Sequence, residues 1–266
     1  MIVDFHVHTF PDKIAEKTIA YLSQKGGITP FREGTLSALK AQMKQGSVDR
    51  SVVLPVVTAA RQTETINRVS AAENGKDGVY FFGGIHPDTE DIPGTLDFIQ
   101  KSGLRGIKLH PDYQGIYFND PRYLYIMEQA AKRGLYIVTH AGRDIAYPDD
   151  VHCTPQMILQ VLDTLRGVID NKLILAHMGG FDFPDDVLEM LCKKPVWMDT
   201  AAVLDLYPEK CKRIIELHGA DRILFASDSP WADPEAFIRI LRSFALGEDA
   251  EEKIFFANAN RILHLS

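Results

Sequence analysis

The chain has 266 residues, is 45% hydrophobic and carries a formal net charge of −7. That length suits one large α/β domain, and the acidic balance speaks against a basic nucleic-acid-binding surface. Three cysteines, Cys153, Cys192 and Cys211, with no CxxC spacing, exclude a disulfide framework.

Eight short apolar runs follow one another along the chain: IVDFHVH, SVVLPVV, VYFFGGIHP, LRGIKLHP, LYIVTHAG, KLILAHMGG, VWMDTAA and RILFASDSP. Each has the length and the Val, Ile, Leu, Phe and Tyr content of a buried strand. From the second onward they recur about every thirty residues, the spacing of βα units. The first connection is longer and is predicted to hold two helices, around Lys13 to Gln24 and Thr35 to Lys44. Asp120–Pro121, Thr154–Pro155 and Asp233–Pro234 each read as an N-cap followed by a proline in the first turn. EEKIFFANANRILHL is predicted to form a C-terminal helical cap.

Strands alternating with helices predict a parallel sheet, and eight strands close into a (β/α)8 TIM barrel. A single domain over residues 1–266 is expected. The competing open, doubly wound sheet normally carries a Gly-rich phosphate turn after its first strand, and this chain has HVHTFPD there. The absence of a secretory pattern or a long apolar run predicts a cytoplasmic protein with no membrane association.

In such barrels the chemistry sits at the C-terminal strand ends. Six of the nine histidines fall there: His6 and His8 after the first run, His86 after the third, His110 after the fourth, His140 after the fifth and His177 after the sixth. Lys108, Asp199 and Asp228 end the fourth, seventh and eighth runs. Alternate residues on a strand share a face, so His6 and His8 are expected to point at the barrel axis and hold one ion. His140 and Asp228, from across the barrel, would complete the set. Imidazole nitrogen and carboxylate oxygen suit Zn²⁺, with Mn²⁺ and Fe²⁺ as alternatives. Asp228 is also placed to take and relay a proton. Asp4 shares the parity of His6, which would place it beneath the ion, but a buried hydrogen-bonding role is the expectation for it. Cys153 reads as a packing residue rather than a nucleophile.

DFHVHT, GIKLHP, VTHAG, LAHMGG, FASDSP and NANRIL together resemble the metal-dependent amidohydrolase superfamily. They are most similar to the branch containing aminocarboxymuconate semialdehyde decarboxylase and related hydrolases. The resemblance runs from Asp4 to about Leu263. It implies the same barrel, His6, His8, His140 and Asp228 as metal ligands, and His177 beside the metal as catalytic base or electrophile. Some two-metal members carry a carbamylated lysine on the fourth strand. Lys108 and His177 would then serve a second ion, although the decarboxylase-like branch points to one.

His110, Arg143, His86 and Trp231 are candidate substrate-binding residues, Arg143 as a bidentate clamp for a carboxylate. Tyr113, Tyr117 and Tyr147 are candidates to cover a planar substrate, and Asp199 is one to orient a ligand or water. The predicted activity is metal-dependent hydrolysis of a C–N or C–O bond in a small molecule, such as an amide or lactone. The alternative is non-oxidative decarboxylation of an unsaturated or aromatic carboxylate. TatD-type nucleases open similarly, but usually have glutamate where this chain has Lys108. Polymerase-and-histidinol-phosphatase barrels typically end in Asp-x-His, where this chain has Asp228-Ser229-Pro230. A non-enzymatic barrel is the remaining alternative, and a homodimer is compatible with the sequence.

Overall fold

Each apolar run forms a strand in the computed structural model, which describes residues 1–265. The strands are β1 (Val3–Val7), β2 (Arg50–Val53), β3 (Val79–Phe81, continued as Gly83–Gly84), β4 (Gly106–Leu109), β5 (Tyr136–Thr139), β6 (Leu173–Leu175), β7 (Trp197–Asp199) and β8 (Ile223–Leu224). All paired neighbours are parallel. β3 joins two arcs, since Val79–Phe81 pairs with β2 and Gly83–Gly84 with β4. The ring closes between β1 and the segment following β8. The Phe5 amide donates to the Phe225 carbonyl at 2.9 Å, Asp228 to His6 at 3.0 Å and His8 to Ser229 at 2.7 Å. The fold is the (β/α)8 TIM barrel that eight strand-like runs predict.

The predicted helix starts are built as the sequence indicates. Helices Pro121–Lys132, Pro155–Thr164 and Pro234–Ser243 open with proline. Their caps Asp120, Thr154 and Asp233 accept from the amides of Arg122 (2.9 Å), Met157 (3.3 Å) and Glu235 (3.0 Å). The first connection holds helices Asp12–Gly26 and Leu36–Gln45. Among the described residues, no helix is long and apolar enough to cross a membrane.

Side-chain alternation separates two apolar layers. Ile137, Leu173 and Leu175 face the helices and pack with Ile126, Ile158 and Val161. Val138 and Ile174, between them, face the axis with Val52, Leu54, Phe82, Trp197 and Leu224. Gly106 keeps this interior open, because a Cβ there would lie 2.5 Å from the Phe82 ring. The terminal helix Asn258–Leu263 plugs the floor with Ala259, Ile262 and Leu263. Asn258 fastens it, its Nδ2 donating to the carbonyls of Ala220 and Ile223 at 2.7 Å each. Ile262→Ala is therefore expected to lower the free energy of unfolding by about 2–5 kcal/mol. Urea titration followed by circular dichroism checks this, and an unchanged midpoint would mean that the helix is not part of the core.

β1 departs from the regular pleat. Asp4 pairs with Ser51 and Val7 with Val53, so three steps on β1 oppose two on β2. This extra residue is a bulge. Val3 and Phe5 face the axis, yet Val7 packs in the outer layer. The bulge turns His6 inward as well, while Asp4 takes the buried hydrogen-bonding role expected of it. Asp4 does not lie beneath the ion position; its carboxylate is bonded to Ser227, behind the barrel wall.

Candidate metal centre

His6 and His8 reach the barrel mouth from the end of β1, and Asp228 reaches it from the loop after β8. His6 Nε2 lies 3.1 Å from His8 Nε2, and Asp228 Oδ1 lies 3.6 Å from the first and 3.2 Å from the second. The other ring nitrogens decide what these atoms offer. His8 Nδ1 sits 2.9 Å from the Leu54 carbonyl, which can only accept. Nδ1 therefore carries the proton and Nε2 keeps its lone pair. His6 Nδ1 donates to Asp199 Oδ2 at 2.8 Å, with the same consequence. Asp199 is fully buried, and its Oδ1 also accepts from the amides of His177 (2.9 Å) and Ala201 (3.1 Å). It thus orients the His6 ring from behind, in a carboxylate–histidine arrangement.

Three lone-pair atoms thus face one another; His6 Nε2 has the Lys108 amine at 3.4 Å as a donor, and Asp228 Oδ1 is buried without a hydrogen-bond partner. Such a set repels itself in a dry site unless a cation joins it. Burial, then the nearby Lys108, pushes the His6 pKa well down, which keeps the imidazole neutral. Neutral imidazoles beside a charged carboxylate make a donor set that fits a divalent ion.

His140 is not brought into this set. The group of ligating atoms that converge is His6, His8 and Asp228; His140 groups instead with His110 and Asp144. Its Nδ1 lies 3.0 Å from His177 Nε2. His177 Nδ1 faces the Ala201 carbonyl at 3.0 Å and must donate, so His177 Nε2 accepts from His140. The His140 ring also stacks on His110, with centroids 4.4 Å apart and an interplanar angle of 9°. Lone pairs of parallel rings do not converge, so His110 and His140 cannot share one ion in this arrangement. His110 Nδ1, His140 Nε2 and Asp112 Oδ2 are nonetheless buried without partners. Both imidazoles are held neutral, chiefly by burial. This wall is built to receive a polar group of a bound molecule or a water. Asp112 and Asp144 belong to it; in the sequence they were visible only as the acids following His110 and Arg143.

The other candidates are distributed as follows. Lys108 is buried at the centre, its Nζ 3.4 Å from His6 Nε2, and burial lowers its pKa to about 8. Among the described residues it makes no ion pair with Asp228. The Arg143 guanidinium is taken up by Asp182, which Tyr207 also bonds, so in this structure it is not a free clamp. His86 accepts from the Asp88 amide at 3.2 Å and joins neither group. Trp231 is partly buried, its amide donating to the Asp228 carbonyl at 3.0 Å. Tyr113 meets the His110 ring edge-on at 4.5 Å, and Tyr147 meets Tyr113 at 5.2 Å. Tyr117 instead stacks on His152 and donates to Asp150. Lys25, from the first connection, lies 3.4 Å over the Tyr147 ring, so that connection roofs part of the mouth. Cys153 is fully buried, and burial pushes its thiol pKa well up, as befits a packing residue.

A family model described as amidohydrolase matches residues 3–265. Solved structures of similar fold include 2,6-dihydroxybenzoate decarboxylase from Rhizobium, with TM-score 0.74, 16% identity and coverage of 99% of this chain and 98% of that one. A 5-carboxyvanillate decarboxylase from Novosphingobium aromaticivorans with bound manganese has TM-score 0.70, 14% identity and coverage of 100% and 97%. A probable 2-pyrone-4,6-dicarboxylic acid hydrolase from Acinetobacter baumannii has TM-score 0.68, 15% identity and coverage of 99% of each chain. No curated protein matches the chain. At these identities the structures speak for the fold, and the family model speaks for descent. A barrel whose first strand delivers an HxH pair to a carboxylate after the eighth, matched over nearly its whole length, belongs to the amidohydrolase family.

Proposed function

We propose that the protein is a metal-dependent hydrolase that cleaves a C–N or C–O bond of a small amide or lactone, with one divalent cation held by His6, His8 and Asp228. The observation that carries this reading is the convergence of two unprotonated Nε2 atoms and the unpartnered Asp228 Oδ1. Three protein ligands leave a position open, as catalysis requires. Zn²⁺ suits the donors best, with Mn²⁺ or Fe²⁺ as alternatives. When bound, such an ion acts as a Lewis acid on a substrate oxygen and acidifies water.

The remaining steps fall to the chain's own residues. Asp228 takes a proton from the attacking water and returns it to the leaving nitrogen or oxygen. His177 is held by Ala201 behind, and its Nε2 accepts from His140 Nδ1 beside it. It serves as a proton acceptor once a bound molecule takes up the His140 N–H. The His110, His140, Asp112 and Asp144 wall anchors polar atoms of the substrate, and Tyr113 and Tyr147 flank it.

Decarboxylation of an unsaturated or aromatic carboxylate is the second reading. Decarboxylases stand beside hydrolases among the similar structures. The test is a screen of the zinc- and manganese-loaded protein against lactones, amides and unsaturated carboxylates, with acid and CO₂ release recorded separately. Acid release without CO₂ is expected. CO₂ release would move the assignment to the second reading, and no turnover of any class with the ion in place would contradict both.

A further inference from the structure

We propose that a buried hydrogen-bonded chain behind the barrel wall, Asp4–Ser227–Ser229–Arg32, holds His8 and Asp228 in the geometry that binds the ion, making Ser227 and Arg32 positioning residues. This rests on the ion position proposed above.

The chain begins at Asp4, which faces away from the barrel axis between the inward-facing Val3 and Phe5. Asp4 Oδ1 accepts from the Ser227 amide at 2.9 Å, and Oδ2 accepts from the Ser227 hydroxyl. That hydroxyl in turn accepts from the Ser229 amide at 3.0 Å. Ser229 Oγ accepts from Arg32 Nε at 2.8 Å. Arg32 Nη2 then donates to the carbonyl of His8 at 3.3 Å, while Nη1 donates to the carbonyls of Glu33 (2.7 Å) and Thr35 (3.3 Å). Asp4, Ser227 and Ser229 are all buried. None of the four is among the converging ligand atoms.

The position of these bonds gives them their function. The amides of Ser227 and Ser229 flank Asp228, and both are held by this chain. Asp228 itself has φ of 73°, a left-handed conformation that a non-glycine residue keeps only when its surroundings enforce it. The Asp228 amide is tied to the His6 carbonyl at 3.0 Å, so the turn is clamped on three consecutive residues. Arg32 links the far end of the clamp to the backbone of His8. One network thus fixes the carboxylate and one imidazole relative to each other, although they are 220 residues apart by the numbering (Asp228 minus His8). Ligand sets are preorganised in this way by groups that do not touch the ion.

The test compares wild type, S227A and R32K, each stripped of metal and then titrated with Zn²⁺ in competition with a chromophoric chelator. The thermal midpoint of each metal-free protein is measured alongside. S227A removes the bond that the hydroxyl shares between Asp4 and the Ser229 amide. R32K keeps the charge but loses the fork that spans Ser229 and His8. Both are expected to bind zinc about 10–100-fold more weakly than wild type, the usual effect of losing such a support. A lowered midpoint with unchanged zinc affinity would mean that the network only staples the barrel seam, and would overturn the proposal. If S227A fails to fold, R32K carries the same test, and wild-type affinity in R32K overturns it. Absence of zinc binding by the wild type would instead overturn the ion position, and this inference with it. Zinc binding by the wild type with equal affinity in both variants overturns the network alone.

Discussion

His8→Ala is expected to empty the site while leaving the barrel folded. His8 follows β1 and is only partly buried, and its ring contributes one of three converging donors. Removing it leaves His6 Nε2 and Asp228 Oδ1, too few to retain a divalent ion against a chelator. Metal content by mass spectrometry after dialysis should fall from near stoichiometric to near zero. The loss of affinity should exceed the roughly 10–100-fold cost of losing a supporting residue. The unfolding midpoint of the metal-free variant should match that of metal-free wild type, because no core side chain changes. His140→Ala supplies the contrast. Its ring stacks on His110 and bonds to His177, so the ion should be retained. Full occupancy in His8→Ala, or loss of the ion in His140→Ala, would contradict the three-residue ligand set.

Asp228→Asn carries the other large effect. The amide preserves the shape and one oxygen, but it removes the charge and the capacity to carry a proton. Turnover on a substrate found by the screen is expected to fall by about 10²–10⁴-fold, the range for a lost general acid–base. KM should change little, so kcat and kcat/KM fall together. Metal content must be measured in the same preparations, because the charge also serves the ion. Turnover within tenfold of wild type would remove Asp228 from the proton-carrying role. The paired result, ion retained and turnover lost, is the outcome that separates its two duties.

Much of the architecture is legible in local sequence because its causes are local. A buried parallel strand announces itself as a short apolar run, and Asp120, Thr154 and Asp233 announce helices through caps that bond within the next few residues. The HxH pair and Asp228 stand at strand ends, where the barrel topology alone makes them neighbours. What could not be read depends on registers and partners far along the chain. Parity alone puts Asp4 on the face of His6, but one extra residue in β1 shifts the pleat between them, and only the pairing with β2 reveals it. His140 was assigned to the ion by its place after β5. Its actual neighbours, His110 and His177, are set by how three loops pack. Arg143 reads as a free clamp until Asp182, 39 positions away, is seen to hold it. Arg32 and Ser227 carry no signature at all, since their importance lies in bonds across the barrel seam.

The whole account turns on where a cation sits. Anomalous diffraction from crystals of freshly purified protein, recorded on both sides of the zinc absorption edge, locates it directly. A single peak about 2.0–2.2 Å from His6 Nε2, His8 Nε2 and an oxygen of Asp228 is the predicted result. A peak centred between His140 and His177, or metal-bearing crystals with no density between the first two histidines, would contradict it.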